Sequence, residues 1–281
     1  PTTTRKASSA ASDVYKRQTL DDTEQRRRSI NARRTIDTLL KLGIVPVVNE
    51  NDTIATSEIR YGDNDRLASR VAQITSADCL ILLSNINGLY SADPSTDEDV
   101  KLINKVSEID KDIEKMIGQS ISDYGKGGMK TKIQAAKTAM LSGCHLAITN
   151  GSIMRPVKSL FEGRPCTWFE PTKTPLAARK QWIAGTMKPV GKIIIDDGAV
   201  DALKKGSSLL PAGVKSVEGN FERGDVIEVL SSDQNKIGIG LAGYAAEESI
   251  KIMGHKSDEI ANILSYSYRE EMIHKDDLVL I

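Results

Sequence analysis

Apolar and polar positions change rhythm several times along the chain, and each change predicts an element. From Asp21 a helical stretch runs through Arg26, Arg27, Arg28, Ile30, Ile36, Leu39 and Leu40, ending at Gly43. A short apolar run follows, Ile44–Val48, which predicts a strand and stops abruptly in Asn49-Glu50-Asn51-Asp52. Leu67, Val71 and Ile74 then share one face of a helix expected over Asp65–Ala77. A second buried-type strand, Cys79–Leu83, ends in Ser84-Asn85. After a helix near 131–142 that stops at Gly143, a third strand, His145–Thr149, ends in Asn150-Gly151-Ser152. Apolar strands alternating with amphipathic helices imply an α/β fold with a mainly parallel sheet covered on both faces.

Around residues 171–190 the pattern loosens, and three of the nine prolines fall there. We read a boundary at that point. Beyond it come short strand-like pieces, Lys192–Ile195, Asp225–Glu228, Lys236–Gly240 and Leu278–Ile281, with helical pieces near Ala199–Lys205 and Ser257–Leu264. Glycine turns separate them, as in a compact mixed-β domain whose strands close on each other. The expected organisation is a leader at 1–18, an α/β domain at 19–175, a linker at 176–190 and a β-rich domain at 191–281. No internal repeat is visible.

Composition narrows the function classes. Lysine plus arginine equals aspartate plus glutamate at 38 each, so no net field draws the whole chain to nucleic acid or membrane. The five arginines between positions 26 and 34 read as a solvated helix face. Cys79, Cys144 and Cys166 form no C-x-x-C pair, which fits a reducing, cytoplasmic setting, and the three histidines have no zinc-ligand spacing. Apolar runs of about five residues fall far short of the roughly 20 that cross a bilayer, so no membrane partner is expected. Residues 1–18 are small, polar and non-periodic, and are expected to be disordered or non-native; the piece DVYKRQ resembles translated adaptor sequence.

Three polar clusters at strand ends carry the chemistry, because ligands in open α/β sheets bind at the carboxyl ends of the strands. The segment Gly62-Asp63-Asn64-Asp65 precedes a helix, where Asn64 or Asp65 would also serve as an ordinary N-cap. Together with Asn49–Asp52 it brings four acids and three amides to one pocket mouth. Such a pocket suits a small ligand with both an ammonium group and a carboxylate. The stretch Gly125-Lys126-Gly127-Gly128-Met129-Lys130-Thr131-Lys132 opens a helix, and glycines, lysines and a helix N-terminus suit phosphate. It departs from the Walker pattern, since Lys130 stands where the second glycine belongs, and a flexible connector is the plainer alternative.

The order and spacing of IVPVVNEND, EIRYGDND, LLSNINGLYSADP, GKGGMKTK and GSSLLPAGVKSVEGNFERGD resemble the glutamate 5-kinases, from about Thr19 to the end of the chain. The resemblance implies the back half of a three-layer αβα amino-acid kinase domain followed by a small barrel-like PUA domain. It implies ATP with Mg²⁺ as phosphoryl source and L-glutamate as acceptor, giving glutamyl 5-phosphate for proline biosynthesis. By the same resemblance Asp52 and Asn64 contact glutamate with Asn49 close by, and Ser84 and Asn85 contact the nucleotide. Lys126, Gly127, Gly128, Met129, Lys130, Thr131 and Lys132 match the ATP loop. Lys132 and Asp65 are the expected catalytic pair, the lysine on the transferred phosphoryl group and the aspartate organising lysine and Mg²⁺. Asn85 stands where the family usually has aspartate, and Lys126 where a small hydroxyl residue is common.

The family's first-strand lysine, its first glycine-rich phosphate loop and a later Ser-Gly motif find no match in residues 1–43. A polypeptide lacking them is expected to be inactive alone and aggregation-prone. The family further implies a homo-oligomer (dimer or tetramer) and feedback by proline. Two other readings compete: an RNA-binding PUA protein, with Lys204, Lys205, Lys215 and Arg223 as its basic face, and a non-catalytic scaffold. Interspersed Glu218, Glu222 and Asp225 weaken the first.

Overall fold

The structure, a computed structural model, describes residues 15–17, 26–49, 63–92, 100–118, 126–186, 189–266 and 269–281. It divides into two units, Pro1–Pro171 and Thr172–Ile281.

The first unit begins with strand β1 (Tyr15–Arg17), which pairs in parallel with β2 (Val47–Asn49) across helix α1 (Arg26–Lys41). A strand inside the expected leader is a departure from the sequence reading. Backbone N–H and C=O groups along β2 demand partners, and any extended segment of the right length can supply them. The apolar run Ile44–Val48 yields a strand only from Val47, and Val45 and Val47 are exposed. Helix α2 (Asp63–Thr75) starts two residues earlier than the apolar pattern suggested and leads to β3 (Cys79–Ser84). β4 (Lys105–Val106), α3 (Lys111–Gly118), α4 (Lys126–Leu141), β5 (His145–Asn150), α5 (Pro156–Phe161) and β6 (Cys166–Phe169) complete the unit.

The four-stranded sheet runs β3-β5-β6-β4. β3 and β5 are parallel and in register from Cys79–His145 to Ser84–Asn150, as expected. β6 pairs antiparallel to β5, so the sheet is mixed rather than mainly parallel. The chain turns at Gly163, which has φ +86°, between α5 and β6. Leu146, Ile148 and Phe169 are fully buried between Ala136 and Ala139 of α4 and the neighbouring strands. Small alanines on that helix face let it lie close to the sheet.

The second unit opens with α6 (Pro175–Thr186), inside the stretch expected to be a linker. It buries Ala178 and Ile183, the latter against Val226, Ile239 and Leu241 of the same unit. Strands β7 (Gly191–Ile195), β8 (Val214–Gly219), β9 (Val226–Ser231), β10 (Lys236–Leu241) and β11 (Leu278–Leu280) form a mixed sheet in the order β11-β10-β9-β7-β8. Helices α7 (Asp197–Lys204), α8 (Ala246–Ile252) and α9 (Ile260–Leu264) punctuate it. Asp196 caps α7 by accepting from Ala199 N–H at 2.7 Å. The core holds Ile193, Ile195, Phe221, Ile227, Tyr244 and Ile252.

Candidate active site

The first turn of α2 places two of the sequence-predicted residues side by side with different neighbours. Asn64 shares the wall of a cavity of about 510 Å³ with Asn49 at the end of β2. Most of the remaining wall is apolar, from Val48, Leu67, Val71 and Leu80. The two amides therefore supply polar hydrogen-bonding groups to an otherwise greasy recess, which suits a small ligand needing a few placed contacts. Asp52 lies outside the described residues.

Asp65, one residue on, looks to α4. Its Oδ2 accepts from Lys132 Nζ at 2.8 Å, and both side chains are only 15% exposed. Thr131 Oγ1 stands 3.3 Å from the same oxygen and 2.9 Å from the Gly128 carbonyl. A part-buried ion pair of this kind fixes where the ammonium sits, and screening by solvent and salt is weaker there than at the surface. Packing of α2 against α4 brings these residues together from 67 positions apart.

The glycine-rich stretch is itself helical. α4 begins at Lys126, so Gly127 and Gly128 lie in its first turn rather than in a loop before it. A Cβ at Gly128 would meet nothing within 4 Å, which leaves the backbone there open to approach. Met129 packs against the core of the first unit, while Lys130 is exposed. Four N–H groups at a helix start lack intrahelical partners, and with the positive end of the helix dipole they favour an anion.

Ser84 and Asn85 close β3, bonded to each other through Ser84 Oγ and Asn85 Oδ1 at 3.3 Å. Among the described residues no hydrogen bond joins them to the Asp65–Lys132 pair. The neighbouring strand end turns sharply: Gly151 N–H donates to the Ser84 carbonyl at 2.7 Å, and Asn150 Oδ1 accepts from Ser152 N–H at 2.8 Å. A Cβ at Gly151 would fall 2.8 Å from Leu83 Cβ, so glycine is what lets the two strand ends touch.

Sequence reasoning missed what holds the loop after Ser84-Asn85. Thr167 of β6 is fully buried, accepts from Leu89 N–H at 2.7 Å and donates to the Ile103 carbonyl at 2.6 Å. Gly88 sits against it, since a Cβ there would be 2.3 Å from Thr167 Oγ1. Only a period-two buried position in Cys166–Phe169 marks Thr167 in the sequence, and its partners lie 78 and 64 residues away. Thr167→Val keeps the shape and strands the Leu89 N–H, so it is expected to lower stability by about 1–3 kcal/mol. A urea titration followed by circular dichroism checks this; an unchanged midpoint would show that the loop does not depend on the hydroxyl.

Burial pushes the Cys144 thiol up to about 12, with charge repulsion from Cys79 and Asp78 adding to it. A thiol held protonated is a poor nucleophile, and Cys144 belongs to the core.

Similarity to known proteins follows the same division. The amino acid kinase family profile matches residues 4–150, and the PUA domain profile matches residues 191–264. The chain is 55% identical over 262 residues to the glutamate 5-kinase of Paramagnetospirillum magneticum, covering 93% of this chain and 71% of that protein. It is 57% identical over 261 residues to the Pelagibacter ubique glutamate 5-kinase, with 93% and 71% covered. For the Agrobacterium fabrum glutamate 5-kinase the figures are 53% over 262 residues, 93% and 67%.

Proposed function

The chain belongs to the amino acid kinase family, among the glutamate 5-kinases, with a PUA domain after the kinase domain, and from that membership we propose how its residues divide the work. The reaction is transfer of the γ-phosphoryl group of ATP to the side-chain carboxylate of L-glutamate, giving glutamyl 5-phosphate and ADP for proline biosynthesis. One P–O bond to the β-phosphate breaks as one P–O bond to the carboxylate forms. The nucleophile is already ionised, so no general base is required. Bringing two anions together is the barrier, and neutralising and aligning them is the protein's task.

In this reading Lys132 neutralises charge on the transferring phosphoryl group. Its 2.8 Å contact with Asp65, one turn on from the open start of α4, is the observation that carries the assignment. Asp65 orients the lysine. Asn49 and Asn64 hold glutamate at the mouth of the cavity, with Asp52 completing the set, and Ser84 with Asn85 meets the nucleotide. The backbone of Lys126–Gly128 and the side chain of Lys130 belong to the phosphate end of that site, Thr131 stands between it and Asp65, and Met129 anchors the turn to the core.

Bound Mg²⁺ would offset negative charge on the ATP phosphates. Among the described residues no group of three or more acidic, histidine or cysteine side chains could cage a metal. A Mg²⁺ carried by nucleotide phosphates needs only one or two protein carboxylates. Asp65 would be the carboxylate to hold it, since Lys132 Nζ bonds its Oδ2 and not its Oδ1.

The high identity to glutamate 5-kinases over 93% of the chain disfavours both a free-standing RNA-binding protein and a scaffold. No helix among the described residues is long and apolar enough to cross a membrane, and a cytoplasmic setting goes with the proposed pathway. Homo-oligomerisation, proline feedback and an RNA contact through the PUA domain extend the same family reading.

The test is a glutamate- and ATP-dependent assay with hydroxylamine present. An acyl phosphate is trapped as a hydroxamate in step with ADP release. ADP release without hydroxamate, or equal rates with aspartate, would overturn the reading.

A further inference from the structure

We propose that Thr131 is a positioning residue that holds the Asp65 carboxylate while Lys132 is engaged elsewhere, rather than a contact to the nucleotide; this rests on the phosphoryl-transfer reading above. Thr131 Oγ1 lies between two acceptors, the Gly128 carbonyl at 2.9 Å and Asp65 Oδ2 at 3.3 Å. A hydroxyl has one proton, so it serves one acceptor at a time. With Lys132 Nζ on Oδ2 at 2.8 Å, the carboxylate already has a charged donor and the proton goes to the nearer carbonyl.

The balance changes once the lysine is used. When the Lys132 ammonium turns towards a phosphoryl group, Oδ2 loses its donor while the side chain remains 85% shielded from solvent, the complement of its 15% exposure. A buried carboxylate stripped of hydrogen bonds is strongly disfavoured. Rotation of Thr131 about one bond brings its proton from Gly128 to Asp65 with no movement of the main chain. Asp65 is then kept in place for the return of the lysine, and the lysine is released at lower cost.

A helical threonine bonded to a carbonyl three or four residues back is common and needs no function. Thr35, Thr75 and Thr138 do the same in this chain, to Asn31, Val71 and Gln134. Among the described residues none of those three has a hydrogen bond to a carboxylate. Thr131 alone of these four reaches an acid on another helix, 66 residues away in sequence, and that acid is the partner of Lys132.

Thr131→Val removes the proton and keeps the shape, and Thr131→Ser keeps the proton. Steady-state kinetics of the full chain with ATP and glutamate are expected to show kcat about tenfold lower in the valine variant, the effect of losing one hydrogen bond of about 1.4 kcal/mol. KM for both substrates stays within about twofold, and serine restores kcat. Unchanged kcat in valine, a rise confined to the KM for ATP, or failure of serine to rescue would each overturn the proposal. If the unaltered chain alone forms no glutamyl phosphate, the outcome expected of a polypeptide without the family's first phosphate loop, a second measurement decides Thr131 without turnover. The rate of Lys132 acetylation by a water-soluble succinimidyl ester, read by peptide mass spectrometry, is expected to fall severalfold in the valine variant. There Lys132 is, among the described residues, the sole side-chain donor left to Asp65 and is tied to it. Equal labelling in all three proteins would reject the positioning role whatever the substrate.

Discussion

Lys132→Met is expected to slow glutamyl phosphate formation by about 10²–10³-fold, the typical loss when one preorganised charge on a developing anion is removed. The side chain is 15% exposed and its ammonium is held 2.8 Å from Asp65, so its position is set before any substrate arrives. Methionine has nearly the same length and no charge. The variant therefore tests neutralisation of the phosphoryl group rather than packing. Glutamate KM is expected to stay near its original value, because the amides proposed for glutamate, Asn49 and Asn64, line a separate cavity. Lys132→Arg is not expected to rescue, since a planar guanidinium cannot reproduce a compact point charge at that spot. The measurement is hydroxamate formation at saturating ATP, with a thermal melt as control. Less than a threefold loss in rate would remove Lys132 from the chemistry.

That prediction draws on two sources of different legibility. The strand ends were readable from the chain: Cys79–Ser84 and His145–Asn150 are continuous apolar runs broken by polar residues, and the structure ends both strands there. The resemblance named Lys132 and Asp65 together because their motifs are long and ordered, and the structure pairs them at 2.8 Å, with their roles a proposal. What could not be read were contacts between distant positions. Nothing in the neighbourhood of Thr131 announces an aspartate 66 residues earlier, and nothing around Thr167 announces Leu89 and Ile103. The direction of β6 was equally hidden, since nothing in the four residues Cys166–Phe169 marks an antiparallel partner. At Ile44–Val48 the apolar run promised burial, yet Val45 and Val47 are exposed. Apolarity marks a surface that wants a partner, and the partner need not be among the described residues.

The segment at 175–186 is the sharpest case, and it supports the second large prediction. It falls in the loosened stretch 171–190, which holds three of the nine prolines and suggested a linker, and among its described residues only Ala178 and Ile183 are buried. What completes its attachment is ionic. Arg179 donates from Nε at 2.7 Å and from Nη2 at 2.5 Å to Oδ1 of Asp277, and Arg269 Nη1 lies 3.5 Å from Oδ2. Asp277 is only 4% exposed and sits 98 residues downstream of Arg179, just before β11. Breaking a buried pair by removing one partner leaves a charge without its best donor, which typically costs about 3–5 kcal/mol. Arg179→Met is accordingly expected to lower the melting temperature of the second unit by roughly 10–20 °C. Replacing both partners, Arg179→Met with Asp277→Leu, is expected to recover most of that loss, because an apolar pair of similar volume avoids desolvating two charges. Differential scanning calorimetry of the two variants separates the ideas. If the single variant melts with the unaltered chain, Ile183 and its apolar neighbours hold the helix alone. If the double variant is no better than the single, Asp277 serves Arg269 and its other neighbours more than it serves α6. A deep loss followed by recovery would make the arginine–aspartate clamp the reason that a sequence resembling a linker folds as the first helix of the PUA unit.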